Sequence, residues 1–278
     1  SEHRREGFEV SARWSDKIGS DFNYEIGTNM TYFNNLYVKN VSESLSSLMN
    51  PYQRGTHQTD YYGLLLVDNG LYQSVEQVLG SPRRPESTET KLGDIVYQDI
   101  NGDGKVNSED KVRYGMPTSP HFTYGVDFLL SYKGFSLSGL FYGTGKRHMM
   151  FGVNSMKAEA QYVKNEYQLD YWTAENTDAT FPRLSLAAGV NGENNRIEST
   201  FYLRNASFFR LKNLTLAYDL KYKLLKNVKW LTACRVNLTG SNLFTISGVS
   251  DYFDPETTST NGGYPVSRIY SFGLTVGF

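Results

Sequence analysis

The chain has 278 residues, with 28 Lys and Arg against 29 Asp and Glu for a net charge of -1. That balance gives nucleic-acid binding no electrostatic support, and no apolar run approaches the roughly 18 residues a membrane helix needs. A mean hydropathy of -0.47 does not exclude a membrane β-barrel, whose strands alternate lipid-facing and lumen-facing residues and so average to an unremarkable value.

In chain order, the opening "SEHRREGFEV" lacks the apolar stretch of a signal peptide. Either such a segment has been removed or the sequence starts internally; the strand count below favours the second. Period-two patterning then predicts strands over Phe8–Ser15 and Phe22–Val38, joined by the short "DKIGSD". A very long connection runs from Lys39 to His121. In the next strand, Phe122–Tyr132, one face carries Phe122, Tyr124, Val126, Phe128, Leu130 and Tyr132, and the other Thr123, Gly125, Asp127, Leu129 and Ser131. Lys133-Gly134 makes a tight turn into Phe135–Tyr142, and a second long segment covers 143–201. Strands follow over Tyr202–Leu220 and Leu231–Leu243, separated by "KYKLLKNVKW". After "FTISGVSDYFDPETTSTNGGYPVS" the last strand, Arg268–Phe278, sets Tyr270, Phe272, Leu274, Val276 and Phe278 opposite Ser271, Gly273, Thr275 and Gly277. The single cysteine, Cys234, cannot form an intrachain disulfide and says little about compartment.

A soluble sandwich would alternate equally well, so connection lengths decide the fold class. Short and long connections alternate strictly along the chain, as periplasmic turns and extracellular loops do in outer-membrane barrels. The sequence is therefore read as all-β, an antiparallel transmembrane β-barrel with long extracellular loops near 39–121, 143–201 and 244–267. Seven strands cannot close a single-chain bacterial barrel, which has an even count; a fragment lacking upstream strands is expected. In this orientation Trp14, Tyr132, Phe135 and Trp230 fall near the periplasmic strand ends, where an aromatic girdle belongs. Asp127, Arg235 and Asn237 face the lumen.

Three stretches carry a family resemblance: "KLGDIVYQDINGDGKVNSEDKVRYGMPTSPHFTYGVDFLLSYKGFSLSGLFYG", "FYLRNASFFRLKNLTLAYDL" and "YPVSRIYSFGLTVGF". They resemble the C-terminal barrel portion of SusC/RagA-type TonB-dependent outer-membrane transporters, as does the style of the opening strands. The resemblance implies a plugged barrel of about 22 strands, of which this chain supplies late ones. It further implies import of glycans or oligopeptides, a SusD-like surface lipoprotein as lid, and energy coupling by the TonB complex through an N-terminal plug that nothing here resembles. The remaining partners are the rest of the barrel and outer-membrane lipid. The last strand also resembles a barrel-assembly signal, carried by Tyr270, Phe272, Gly273, Leu274, Val276 and the terminal aromatic Phe278.

One constellation has metal-ligand spacing. "DINGDGKVNSED" follows a calcium-loop pattern, with Asp99, Asn101 and Asp103 at alternate positions, Gly104 at the sharp turn, the Lys105 carbonyl, Asn107 and Asp110. A structural Ca2+ bracing the loop is expected. Asp110 stands where Glu is usual, and no amphipathic helices flank the loop, which argues against a helix-opening sensor; the other reading is a turn held by its own Asx hydrogen bonds. Long loops are also rich in rings. Tyr61, Tyr62, Tyr171, Trp172, Tyr252 and Phe253 are the candidates for contact with cargo or lid, against the alternative that they pack on one another. His3, His57, His121 and His148 share no ligand spacing. No nucleophile motif, P-loop or dinucleotide fingerprint occurs, so an enzyme is not expected. Two other readings are a small complete barrel, adhesin or enzyme, needing an eighth strand, and a soluble calcium-containing carbohydrate-binding β domain.

Overall fold

The computed structural model describes residues 2–39, 49–53, 61–87, 89–150, 169–184, 194–249, 253–256 and 266–278. Alternating bulky and small or polar residues match the two-residue repeat of a pleated strand, and they produce seven long strands. These are β1 (Glu2–Ile18), β2 (Phe22–Lys39), β3 (Phe122–Tyr132), β4 (Phe135–Gly145), β5 (Phe208–Asp219), β6 (Ala233–Ser247) and β7 (Ile269–Gly277). They form one seven-stranded sheet in chain order, antiparallel at every pairing. Among the described residues β1 and β7 do not pair with each other and no eighth strand joins the sheet, so the wall they form is open.

Register makes this wall two-faced. Tyr24, Leu130, Leu137, Leu216, Leu238 and Phe272 stand in one unbroken cross-strand row. The next row on the same face runs through Trp14, Ile26, Phe128, Gly139, Leu214, Gly240 and Tyr270. Between them lies a polar row of the opposite face: Ser15, Glu25, Leu129, Ser138, Thr215, Thr239 and Ser271. The apolar face is bare, with Trp14 64%, Leu238 55% and Phe272 75% exposed. An apolar surface of this extent needs a nonaqueous neighbour.

A β-bulge keeps the faces in phase. Pairing skips Lys212 between Leu211 and Asn213, opposite an irregularity at Asn242, whose φ is 54°. The skip returns Phe209 and Leu211 to the apolar side, where Phe209 stacks on Phe141 at 5.2 Å and 6°, and it turns Arg210 to the polar side. At the short-turn end a chain of rings joins neighbouring strands: Phe22 to Tyr132 at 6.5 Å and Phe135 to Tyr218 at 4.4 Å.

The shorter connections, from β1 to β2, β3 to β4 and β5 to β6, all lie at one end, and the longer ones emerge at the other. The hydrophobic core sits in those long connections and not on the sheet. Leu65, Leu66, Leu71, Ile95, Tyr97, Val106, Met149, Met150, Phe181, Tyr202, Leu203, Ala206 and Val249 pack together as a cap. The strand expected from Tyr202 begins later. Thr200–Tyr202 is a 3-10 turn, and Leu203–Asn205 pairs with His148–Met150 inside the cap. Asn205 Oδ1 then accepts from Ser207 N at 2.9 Å, an Asx turn that breaks the chain before β5. β4 and β6 run further than expected, to Gly145 and Ser247.

The two faces predict unequal tolerance of charge in the intact parent protein. Leu214→Arg on the apolar face is expected to cost roughly 2–4 kcal/mol in folding titrations into lipid vesicles, and Thr215→Lys on the polar face less than about 1 kcal/mol. Equal costs would contradict the assignment of faces.

Candidate functional site

The polar face is a network of paired groups. Arg13 pairs with Glu25 and reaches Asp127 at 3.2 Å. Arg235 donates to Ser136 Oγ at 2.5 Å, Ser241 Oγ donates to Asn213 Oδ1 at 3.0 Å, and the Thr215 and Thr239 hydroxyls share a 3.0 Å hydrogen bond. Asp127, Arg235 and Asn237 thus lie on the predicted face, the last in a row with Ser136 and Gly273. These exposed pairs contribute little stability each; what they create is a hydrophilic lining. At its long-loop end stands Arg210, 2% exposed, paired with Asp254 at 2.9 Å and Glu256 at 2.5 Å.

Above the wall, two distant loop segments are clamped through buried polar groups. Asp94, wholly buried, accepts from Lys91 N at 2.7 Å and Asn195 Nδ2 at 2.8 Å and pairs with Arg183 at 2.7 Å. Asn195 Oδ1 accepts from Ile95 N at 2.9 Å, Asn194 Nδ2 donates to Ile95 O at 2.8 Å, and Tyr97 Oη donates to Asn194 O at 2.7 Å. Tyr202 Oη donates to Asn195 O. Burial pushes the Tyr97 and Tyr202 phenols up, so both remain protonated donors. Removing one partner of a buried ion pair such as Asp94–Arg183 typically costs about 3–5 kcal/mol, and the neutral bonds around it fix the two segments against each other.

The candidate rings divide between support and surface. Tyr62, Tyr171, Trp172 and Phe253 are partly buried against the cap core. Trp172 lies directly on Gly93 and donates through Nε1 to Gln73 Oε1 at 3.1 Å. Tyr61 sits under the Arg113 guanidinium, 5.7 Å from the ring centroid. Tyr252 lies outside the described residues. Beside Trp172, Asp170 takes the Thr180 hydroxyl at 2.6 Å and Asn176 Nδ2 at 3.0 Å. Those hydrogen bonds hold its carboxyl below the usual range.

The loop from Asp99 to Asp110 closes on itself. Asp99 accepts from Gly102 N and Gly104 N, each at 2.7 Å, Asn101 Oδ1 from Asp103 N at 2.9 Å, and Asp103 Oδ1 from Lys105 N at 2.9 Å. Asp110 is fully buried and accepts from Ile100 N and Asn107 N at 2.8 Å each. Asn107 Oδ1 accepts from Glu109 N at 2.7 Å. Gly104, at φ 83°, makes a turn that a side chain would strain. Among the described residues no group of three or more His, Cys, Asp or Glu gathers as a metal site. The side-chain oxygens of Asp99, Asn101, Asp103, Asn107 and Asp110 already receive backbone donors.

On β7, Tyr270, Phe272, Leu274 and Val276 share the apolar face, and Gly273 lies opposite Asn237 on the polar one. The terminal ring of Phe278 stacks on Trp230 at 5.8 Å and 9°. Sequence reasoning missed Arg210, Asp94, Asn194 and Asn195.

No family model matches the chain. It is 28% identical over 224 residues to TonB-dependent receptor P26 of Formosa agariphila, covering 75% of this chain and 22% of that protein. With TonB-dependent receptor SusC of Bacteroides thetaiotaomicron it shares 25% identity, covering 98% of this chain and 26% of SusC. The chain thus spans about a quarter of the length of the curated relatives it matches. Among solved structures it superposes on the RagAB peptide importer in its open-open state with a TM-score of 0.70 and 22% identity, covering 99% of this chain and 29% of that one. A second RagAB structure, described as a peptide transporter, gives 0.67 at the same identity and coverage; at this identity the likeness is one of fold. The two-faced wall, the sorted loops and these likenesses agree: the chain is similar to part of the outer-membrane β-barrel of SusC- and RagA-type TonB-dependent receptors.

Proposed function

We propose that the protein containing this chain imports a nutrient across the outer membrane at the expense of TonB-coupled energy, with these strands as part of the rigid frame and the cap as part of the outer cargo chamber. The observation that carries this reading is the wall itself, apolar on one face and hydrophilic on the other, with a folded cap at its long-loop end. General diffusion needs no such cap. Glycans and oligopeptides both suit a chamber lined by hydroxyls, amides and rings, and a SusD-like surface lipoprotein is the partner proposed for the cap. Uptake of labelled oligosaccharides and oligopeptides by cells bearing the parent protein tests the proposal. Accumulation should vanish both on deletion of the gene and on disabling TonB; uptake that survives loss of TonB would overturn it.

Cargo or lid contact is proposed for the same rings that the sequence singled out, and the packing predicts how they differ. Tyr61→Ala should weaken cargo or lid binding by roughly tenfold with thermal stability unchanged. Trp172→Ala should instead lower stability, by about 3–5 kcal/mol, because it empties the place against Gly93 and Gln73. A Tyr61→Ala protein that melts early, or binds as well as the parent, would contradict this division.

Structural calcium at Asp99, Asn101, Asp103, Lys105, Asn107 and Asp110 is a proposal supported by ligand spacing alone. Bound there, the ion would neutralise the carboxylates and brace the loop. At a hundred times its Kd it would add about 2.7 kcal/mol. Trypsin cleavage at Lys105 in the intact protein should then slow on adding millimolar Ca2+ and recover with a chelator. Identical rates in both would leave the loop to its Asx hydrogen bonds.

A further inference from the structure

We propose that Arg210 is a positioning residue that draws the Asp254–Glu256 turn inward across the long-loop mouth, making that turn part of the inner wall. The inference concerns where the turn stands and does not depend on the import reading. Arg210 lies near the long-loop end of β5, and the bulge at Lys212 aims it at the polar face. Its side chain is 3% exposed and that of Asp254 7%.

All three guanidinium nitrogens donate. Nη2 donates to both Asp254 oxygens at 3.0 and 2.9 Å, Nη1 to Glu256 Oε2 at 2.5 Å, and Nε to Thr245 Oγ1 at 2.8 Å. Such a fork fixes direction as well as charge, which a lysine ammonium cannot do. The turn is preset to meet it. Glu256 N donates to Asp254 Oδ1 at 2.7 Å, and Pro255 between them restricts the backbone. Lys212 adds a weaker contact to Glu256 at 3.7 Å. On the other side Phe253 packs against the cap core, which includes Val249.

The turn therefore bridges wall and cap. If it swung outward, Arg210 would lose both carboxylates and keep, among the described side chains, the Thr245 hydroxyl and the Phe208 ring, leaving its charge without a counter-ion, a state proteins avoid strongly. The cation on the wall dictates where the turn stands, and whatever enters the mouth on this side meets the turn as a fixed surface.

Amide hydrogen exchange on the intact parent protein, in detergent, tests this through peptides covering Phe253 to Glu256. Arg210→Met, which keeps the aliphatic stem, should raise exchange in the turn by about 10-fold or more while β5 and β6 keep their protection. Asp254→Asn should reproduce the effect from the loop side without touching the wall. Arg210→Lys should recover part of the protection, through charge without the fork. Unchanged exchange in Arg210→Met, equal loosening of β5 and β6, or no recovery in Arg210→Lys would each overturn the proposal.

Discussion

Everything in this chain depends on satisfying backbone hydrogen bonds within the wall while one side of that wall faces hydrocarbon. Lipid offers no donors or acceptors, so a spanning segment must pair every N–H and C=O internally. Seven strands in sequential antiparallel order do this for all but the two edges, and the pairing register then decides what each side chain faces. Because the side-chain period is two, a slip of one residue anywhere would carry Leu130, Leu216 or Phe272 into the lumen and Glu25 or Thr215 into lipid. The bulge at Lys212 shows how closely phase is kept. It spends one residue so that Phe209 stays on the ring-bearing face and Arg210 stays on the wet one.

A wall one strand thick cannot have a conventional core. Its apolar residues face lipid and its polar residues face water, so the burial that ordinarily stabilises a domain has to occur elsewhere. In this chain it occurs in the cap, where the long connections between β2 and β3, β4 and β5, and β6 and β7 meet around Ile95, Met150, Tyr202 and Val249. Polar groups set the geometry of that union. Asn195 bonds Asp94, and both Asn194 and Asn195 bond the Ile95 backbone, which fixes one loop against another more specifically than apolar contact would. The cap is thereby a folded object standing on the wall, and Arg210 is one of the points at which it is tied down.

The wall was largely legible in the sequence because its signal is local. Alternation over Phe122–Tyr132 or Arg268–Phe278 names the strand and its faces without knowledge of any partner, and loop length sorts the two ends. The early start assigned to β5 has an equally local reason: the break before Phe208 is a single side-chain bond, in which Asn205 accepts from Ser207 N, and no glycine or proline marks it. What stayed hidden was long-range. Arg210 meets partners 44 and 46 residues away, and Asn195 meets Asp94 across 101 residues, separations that leave no trace in spacing. Composition showed that the loops are rich in rings, but not that Trp172 supports the cap while Tyr61 lies beside Arg113. Spacing found the Asp99–Asp110 loop, a local motif, yet could not show that its oxygens point at backbone N–H groups.

The most direct test of the central claim is a spin-label scan of consecutive positions from Ile269 to Gly277 in the intact protein in membranes, reading accessibility to oxygen against a water-soluble nickel complex. A wall with one face in lipid gives a two-residue period, with labels at Tyr270, Phe272, Leu274 and Val276 open to oxygen and those at Ser271, Gly273 and Thr275 open to the nickel complex. A flat profile, or the opposite phase, would contradict it.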